Sequence, residues 1–199
     1  TRKGLIIKVL PIKDNGETDI AALGSLLGPK TKLCCIAHIS NVLGIVNPIR
    51  EIVSICHSSG CLVSVDGAQA LAHLIPDVKE LDCDFYSFSA HKMFAASGVG
   101  VLYGKAALLD KLPPYRGGGE MIDTVKWSGT TYAGIPHRFE AGTQNISSVP
   151  AIKPALDLLK DLHNSAENIE NQRNIVDYLL KELQNVPGLR LFGIPEDLS

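Results

Sequence analysis

Three short polar runs each follow directly on an apolar run, and together they hold the side chains that could do chemistry. His38-Ile39-Ser40-Asn41 follows Leu33 to Ala37, Asp66-Gly67-Ala68-Gln69 follows Leu62 to Val65, and Ser89-Ala90-His91-Lys92 follows Phe85 to Phe88. They supply an amide, a carboxylate, hydroxyl and imidazole donors, and an amine. That inventory suits an aldehyde built on a pyridine ring that also carries a phosphate. A lysine amine can condense with the aldehyde, and a carboxylate can pair with the protonated ring nitrogen, so that the ring draws charge from a developing carbanion. Lys92 and Asp66 are the natural pair. Asn41 and Gln69 can hydrogen-bond a ring hydroxyl, while Ser89 and His91 offer donors to a phosphate. Ala68, without bulk, lets a ring lie flat against it. Taken singly, each has a plainer reading: an Asp after a strand is usually a cap or turn residue, and a lone Lys is usually solvated surface. The joint placement favours chemistry, because all three runs fall at strand ends, where open α/β sheets bind their ligands.

The elements that must hold these runs alternate. Leu5 to Leu10 reads as a strand, Asp19 to Leu27 as a helix and Leu33 to Ala37 as a strand. Pro48 stands at a first helical position, and Ile49, Ile52, Val53 and Cys56 repeat at helical spacing until Gly60. Leu62 to Val65, Asp84 to Ser87 and Val99 to Tyr103 are further strands, and Lys105 to Leu112 is a short helix. The alternation predicts an α/β fold with a mostly parallel sheet and helices on both faces. From Pro113 to about Ser148 the chain is rich in Gly, Pro and Thr without steady period, which predicts long irregular structure of the kind that forms sites or interfaces. Ala151 to Leu162 and Glu167 to Gln184 are the longest helical patterns, and Pro187-Gly188 leads to a strand at Leu189 to Phe192. Residues 1–148 are therefore expected to form the central part of a large domain, and 149–199 a connecting helix and the start of a smaller C-terminal α/β domain.

Composition narrows the class of protein. The chain has 199 residues, 45% of them apolar, which is enough to build a core and speaks against a disordered tail. Its formal charge of -2 gives no electrostatic footprint for nucleic acid or an anionic membrane. No apolar run reaches the roughly 18 to 20 residues needed to cross a bilayer, and the start has no signal-peptide pattern. A cytosol-like compartment is the expectation, or an organelle should a targeting segment precede Thr1. The chain starts with Thr and stops at Ser199 just after an expected strand, so it is expected to be a piece of a longer protein. Five cysteines, Cys34, Cys35, Cys56, Cys61 and Cys83, read as reduced thiols and not as a disulfide framework. Cys56-His57 and Cys61 lack a second ligand pair at zinc spacing, so no metal is expected. Cys34 and Cys35 read as buried strand residues.

The same segments, with Val42-Leu43-Gly44, Gly117-Gly118-Gly119-Glu120-Met121-Ile122 and Arg138-Phe139-Glu140-Ala141-Gly142-Thr143, resemble the class V aminotransferase superfamily. More narrowly they look like the type II, sulfur-mobilising cysteine desulfurases, which include selenocysteine lyases. The likeness runs in order along essentially the whole chain. It implies the large domain of a fold-type I pyridoxal 5'-phosphate enzyme, with Lys92 joined to the cofactor and Asp66 on the pyridine nitrogen. It further implies Asn41 and Gln69 on the ring hydroxyl and Ser89 and His91 on the phosphate. Thr143, otherwise a plain loop hydroxyl, matches a threonine that reaches the phosphate of the partner subunit, which implies a homodimer. The implied reaction converts L-cysteine, or L-selenocysteine in the lyases, to L-alanine. The sulfur passes to an enzyme persulfide and on to an acceptor protein for iron-sulfur cluster assembly.

The chain departs from the family pattern in places. Phe94-Ala95-Ala96-Ser97-Gly98 stands where Tyr-Gly-Pro-Thr-Gly is usual, and Gln144 stands where proline is usual. The persulfide-forming cysteine and the substrate-carboxylate arginine of the family lie beyond the matched region, and a phosphate-binding turn and a ring-stacking histidine lie before it. None of the five cysteines matches that nucleophile. Another class V lyase, or a truncated non-catalytic remnant, is the alternative reading.

Overall fold

A computed structural model describes residues 4–193 of the chain. The first helix, α1 (Ile20–Leu26), starts where the Asp19 carboxylate accepts the Ala22 N–H, and it buries Leu23. Strand β1 (Leu33–Ala37) follows. Helix α2 (Ile49–Ser58) has Pro48 at its N-cap and buries Ile49, Ile52, Val53 and Cys56, the stripe expected from the spacing. Gly60, at φ +69°, turns the chain into β2 (Leu62–Asp66). The short helix α3 (Val78–Leu81), capped by Asp77, precedes β3 (Phe85–Ser89). A 3-10 turn over Ala90–Met93 then leads through a loop to β4 (Gly100–Gly104) and α4 (Ala106–Leu109).

The sheet has the order β1-β2-β3-β4. The first three strands are parallel and β4 runs antiparallel to β3. The sheet is thus mixed and mostly parallel. Its register sets Ala37 beside Asp66 and Asp66 beside Ser87. Alternation along the strands sends Val63, Val65 and Tyr86 into a core shared with α1 and α2, where Ala155 and Leu159 of a later helix also pack. Cys35, Ser64, Asp66, Ser87 and Ser89 point the other way.

Helices were expected on both faces; among the described residues α1, α2 and the later helix with Ala155 and Leu159 pack on the core face, and on the second face Leu109 of α4 lies against Phe85 and Gly104. That second face corrects one expectation. Cys34 and Cys35 were both expected to be buried; only Cys34 points inward, and Cys35 is exposed. A period of two separates any adjacent pair in a strand.

Three further elements differ from expectation. Leu5 to Leu10 is not a strand, and Ile6 is 90% exposed and Val9 77%. The span from 113 to 148 is not all irregular, since β5 (Ile122–Lys126) and β6 (Gly129–Tyr132) form an antiparallel hairpin. Every residue of β6 is exposed, so no alternation of burial marked it. The end of the chain has α5 (Ile152–Asn164) and α6 (Ala166–Gln184) as expected, but Leu189 to Phe192 is not a strand. The Arg190 guanidinium stacks over the Phe192 ring there at 4.5 Å. Among the described residues no helix is long and apolar enough to cross a membrane.

A polar knot ties the sheet at the end opposite the three polar runs. The Asp84 side chain, 4% exposed, accepts the Val63 N–H at 2.7 Å and pairs with His57 at 2.8 Å and Lys105 at 3.2 Å. It thereby joins α2, β2, β3 and the exit of β4. Burial pushes the Asp84 carboxyl up, but the hydrogen bonds from His57, Val63 and Lys105 outweigh it and hold the group below its ordinary value of 3.8. A carboxylate lowered in this way adds stability above its ordinary pKa and loses it as pH falls through the folded value. Asp84→Asn should therefore cost about 2 kcal/mol in urea unfolding at pH 7, and the gap from the parent should close as pH drops below 3.8. A gap that stays constant down to acid pH would show that the charge contributes nothing.

Candidate functional site

The ends of β1, β2 and β3 converge on one edge of the sheet, and the polar runs sit there. After β1, the Ser40 hydroxyl accepts the N–H groups of Val42 and Leu43, which folds residues 40–45 into a tight loop that carries Asn41 at its exposed side. The loop returns through the Ile39–Val46 bridge. The Asn47 side-chain amide then donates to the Ala37 carbonyl at 2.8 Å, closing the strand end.

After β2, Asp66 is exposed, and its Oδ1 accepts the Ala68 N–H at 2.9 Å. This turns the chain sharply and leaves the second carboxylate oxygen without a hydrogen bond among the described residues. Ala68 and Gln69 follow, both half-buried. After β3, Ser89 leads into the 3-10 turn in which His91 and Lys92 are exposed while Ala90 and Met93 are buried beneath them. Because β4 folds straight back on β3, this turn is a reversal at the same edge as Asp66. Phe94 ends it in the left-handed region at φ 67°, where a glycine would be unstrained.

A cleft of about 350 Å³ opens on the second face of the sheet. Cys35, Ser64, Asp66, Ala68, Ser87 and Ser89 are among its lining residues. Of the expected site residues the cleft thus gathers Asp66, Ala68 and Ser89. Lys92 and His91 come directly after Ser89 in the chain, and Asn41 and Gln69 stand on the two neighbouring loops, but none of the four lines the cleft. Thr143 is exposed on a separate loop.

That loop is anchored from both sides. Gly142 N–H donates to the Gly119 carbonyl at 3.0 Å, and a Cβ at Gly98 would lie 3.5 Å from Asn145 Nδ2, so the loop approaches the turn beyond Lys92. Arg138 donates to the carbonyls of Ala133 and Asp110 at 3.2 and 3.1 Å and to the Asp110 carboxylate at 3.4 Å. The Arg138 clamp and the Asp84 knot were not expected from sequence. Each is a single charged residue that reaches a partner 21 or more positions away.

The donor set fits the aldehyde, ring and phosphate inferred above. A volume near 350 Å³ is at the lower end of small-molecule sites, the Asp66 carboxylate and the Ser64, Ser87 and Ser89 hydroxyls belong to residues that line it, and His91 and Lys92 follow Ser89 in the chain. Away from the cleft, burial pushes the Cys56 thiol up to about 12, and the neighbouring Cys34 and Cys61 add to the rise. Among the described residues no three His, Cys, Asp or Glu side chains are arranged to hold a metal ion.

A family model described as aminotransferase class-V matches residues 1–198. The chain belongs to that family. It is 47% identical over 192 residues to a cysteine desulfurase of Dickeya dadantii, a match covering 96% of this chain and 46% of the relative. A cysteine desulfurase of Escherichia coli O9:H4 is 44% identical over 194 residues, covering 96% of this chain and 47% of its own. Among solved structures, the cysteine desulfurase CsdA of Escherichia coli superposes with a TM-score of 0.81 at 36% identity, over 90% of this chain and 45% of CsdA. The apo cysteine desulfurase of Thermococcus onnurineus gives 0.79 at 27% identity, over 94% of this chain and 52% of that one. The chain spans about half the length of these relatives.

The Arg138 clamp can be probed directly. In Arg138→Ala, backbone amides of the segment 133–145 should exchange with solvent at least about tenfold faster, while those of β2 and β3 keep their rates, because local opening follows local hydrogen bonding. Unchanged exchange in that segment would show that the clamp does not hold the loop.

Proposed function

We propose that this chain is the central part of a pyridoxal 5'-phosphate-dependent cysteine desulfurase. The observation that carries the reading is the free carboxylate oxygen of Asp66 in a cleft at the strand ends, with Lys92 on the reversal beside it. Class-V relatives that are cysteine desulfurases support it. The bound cofactor would serve as an electron sink for charge developing at the substrate's α-carbon.

The chain's own residues divide that work. Lys92 would hold the aldehyde, and its amine is the group that would move the proton at the substrate's α-carbon. Asp66 holds a proton at the pyridine nitrogen. Asn41 and Gln69 orient the ring through its hydroxyl, Ala68 seats the ring, and Ser89 and His91 donate to the phosphate. Thr143 contributes to the phosphate site of a partner subunit, so the working unit is a homodimer. Residues 1–148 belong to the large domain, with α5 as the connecting helix and α6 at the start of the smaller one; apolar residues left open on α6, such as Ile175 and Leu179, suit a neighbour there. The full enzyme would release L-alanine from L-cysteine and pass the sulfur to a cysteine outside this chain, and then to an acceptor protein for iron-sulfur cluster assembly in a cytosol-like compartment.

The covalent assignment has a direct test. Full-length protein incubated with pyridoxal phosphate and reduced with borohydride should carry a stable label on the peptide that contains Lys92. Lys92→Ala should lose both the label and the cofactor's visible absorbance. Label retained on another lysine in that variant would overturn the assignment.

A further inference from the structure

We propose that Tyr86 and His38 are positioning residues that set Asp66 for the cofactor ring; the proposal rests on the function read above. Tyr86 is 2% exposed and lies in the core face of β3, and its phenol oxygen is 2.9 Å from His38 Nδ1. The rings meet edge to face, 5.9 Å between centroids and 83° between planes. His38 is 6% exposed, and burial holds its imidazole below the usual histidine range. Burial, with the nearby Cys83 and Asp66, raises the Tyr86 phenol. Both rings are therefore neutral at physiological pH.

This pair touches Asp66 from below through the backbone. The His38 N–H donates to the Asp66 carbonyl at 2.8 Å, and the N–H of the same peptide, on Gly67, donates to the Ser87 carbonyl at 2.7 Å. The Tyr86 ring fills the space beside Gly67 so fully that a Cβ there would collide with Cε1, Cζ and Oη. The peptide that carries Asp66 into the cleft thus rests on the Tyr86 ring and is bonded on one side to His38. A phenylalanine would fill the core equally well. What the hydroxyl adds is the bond that fixes the ring of His38, the residue whose backbone N–H donates to the Asp66 carbonyl. Without it a buried imidazole nitrogen loses its partner and can recover one only by moving.

The effect of the Tyr86 hydroxyl should depend on the Asp66 carboxylate. Pyridoxal phosphate affinity, read by absorbance titration of full-length protein, should fall about three- to tenfold in Tyr86→Phe. In an Asp66→Asn background the same change should have little further effect, because the residue it positions no longer pairs with the ring nitrogen. An equal loss in both backgrounds, or no loss in the parent, overturns the proposal. Thermal midpoints without cofactor separate this from lost stability. If Tyr86→Phe does not fold, His38→Leu is judged by the same comparison, and failure of both to fold counts against a role confined to positioning. Should the unmodified protein fail to bind pyridoxal phosphate, or Asp66→Asn bind it undiminished, the functional reading itself falls. If those two controls behave and only Tyr86→Phe is silent, the present inference falls alone.

Discussion

A parallel ladder spaces its hydrogen bonds evenly and forces neighbouring strands to end at one edge, and in this chain that constraint decides where everything else goes. Pairing Ala37 with Asp66, and Asp66 with Ser87, brings three polar runs from distant parts of the sequence to one edge of the sheet. The antiparallel return of β4 adds to it. Because β4 pairs with β3 from Ser89 and Gly100 back to Phe85 and Gly104, the intervening loop cannot stray, and Lys92 stays at the edge where Asp66 lies.

The two faces of the sheet do different things. Val63, Val65 and Tyr86 build a core under α1, α2 and α5, while Ser64, Ser87 and Cys35 keep the other face low and polar enough to form a cleft. Rigidity and access are thereby separated by the pleat. Tyr86 links the two, since it is a core residue whose ring supports Gly67, and through Gly67 the carboxylate that faces the cleft. The charged knot of Asp84, His57 and Lys105 is kept at the far end of the strands. There it pins α2 and β4 to the sheet without placing a second strong field beside Asp66.

Much of this is legible in the sequence. The stripe Ile49, Ile52, Val53, Cys56 identified α2 because helical spacing alone produces it, and Gly60 marked its end because few other residues adopt φ +69°. Strands β1 to β4 showed as apolar runs between turn residues. Where the sequence misled, the deciding quantity was not local. Leu5 to Leu10 and Leu189 to Phe192 have the composition of strands but join no ladder among the described residues, and the hairpin of β5 and β6 lacks the alternating burial that reveals a strand.

By itself, the sequence determined which groups are available and that they follow strands: an amine at Lys92, a carboxylate at Asp66, and donors at Asn41, Gln69, Ser89 and His91. These follow from residue type and from periodicities that repeat within a few positions. Only the tertiary structure decided that Asp66 has one oxygen committed to Ala68 and one free, that Cys35 faces the cleft while Cys34 does not, and that Tyr86 and His38 stand beneath the Asp66 peptide. Those outcomes depend on register and on contacts between residues up to 48 positions apart. No local pattern encodes such contacts, because their energy comes from surfaces that meet only when the sheet has formed.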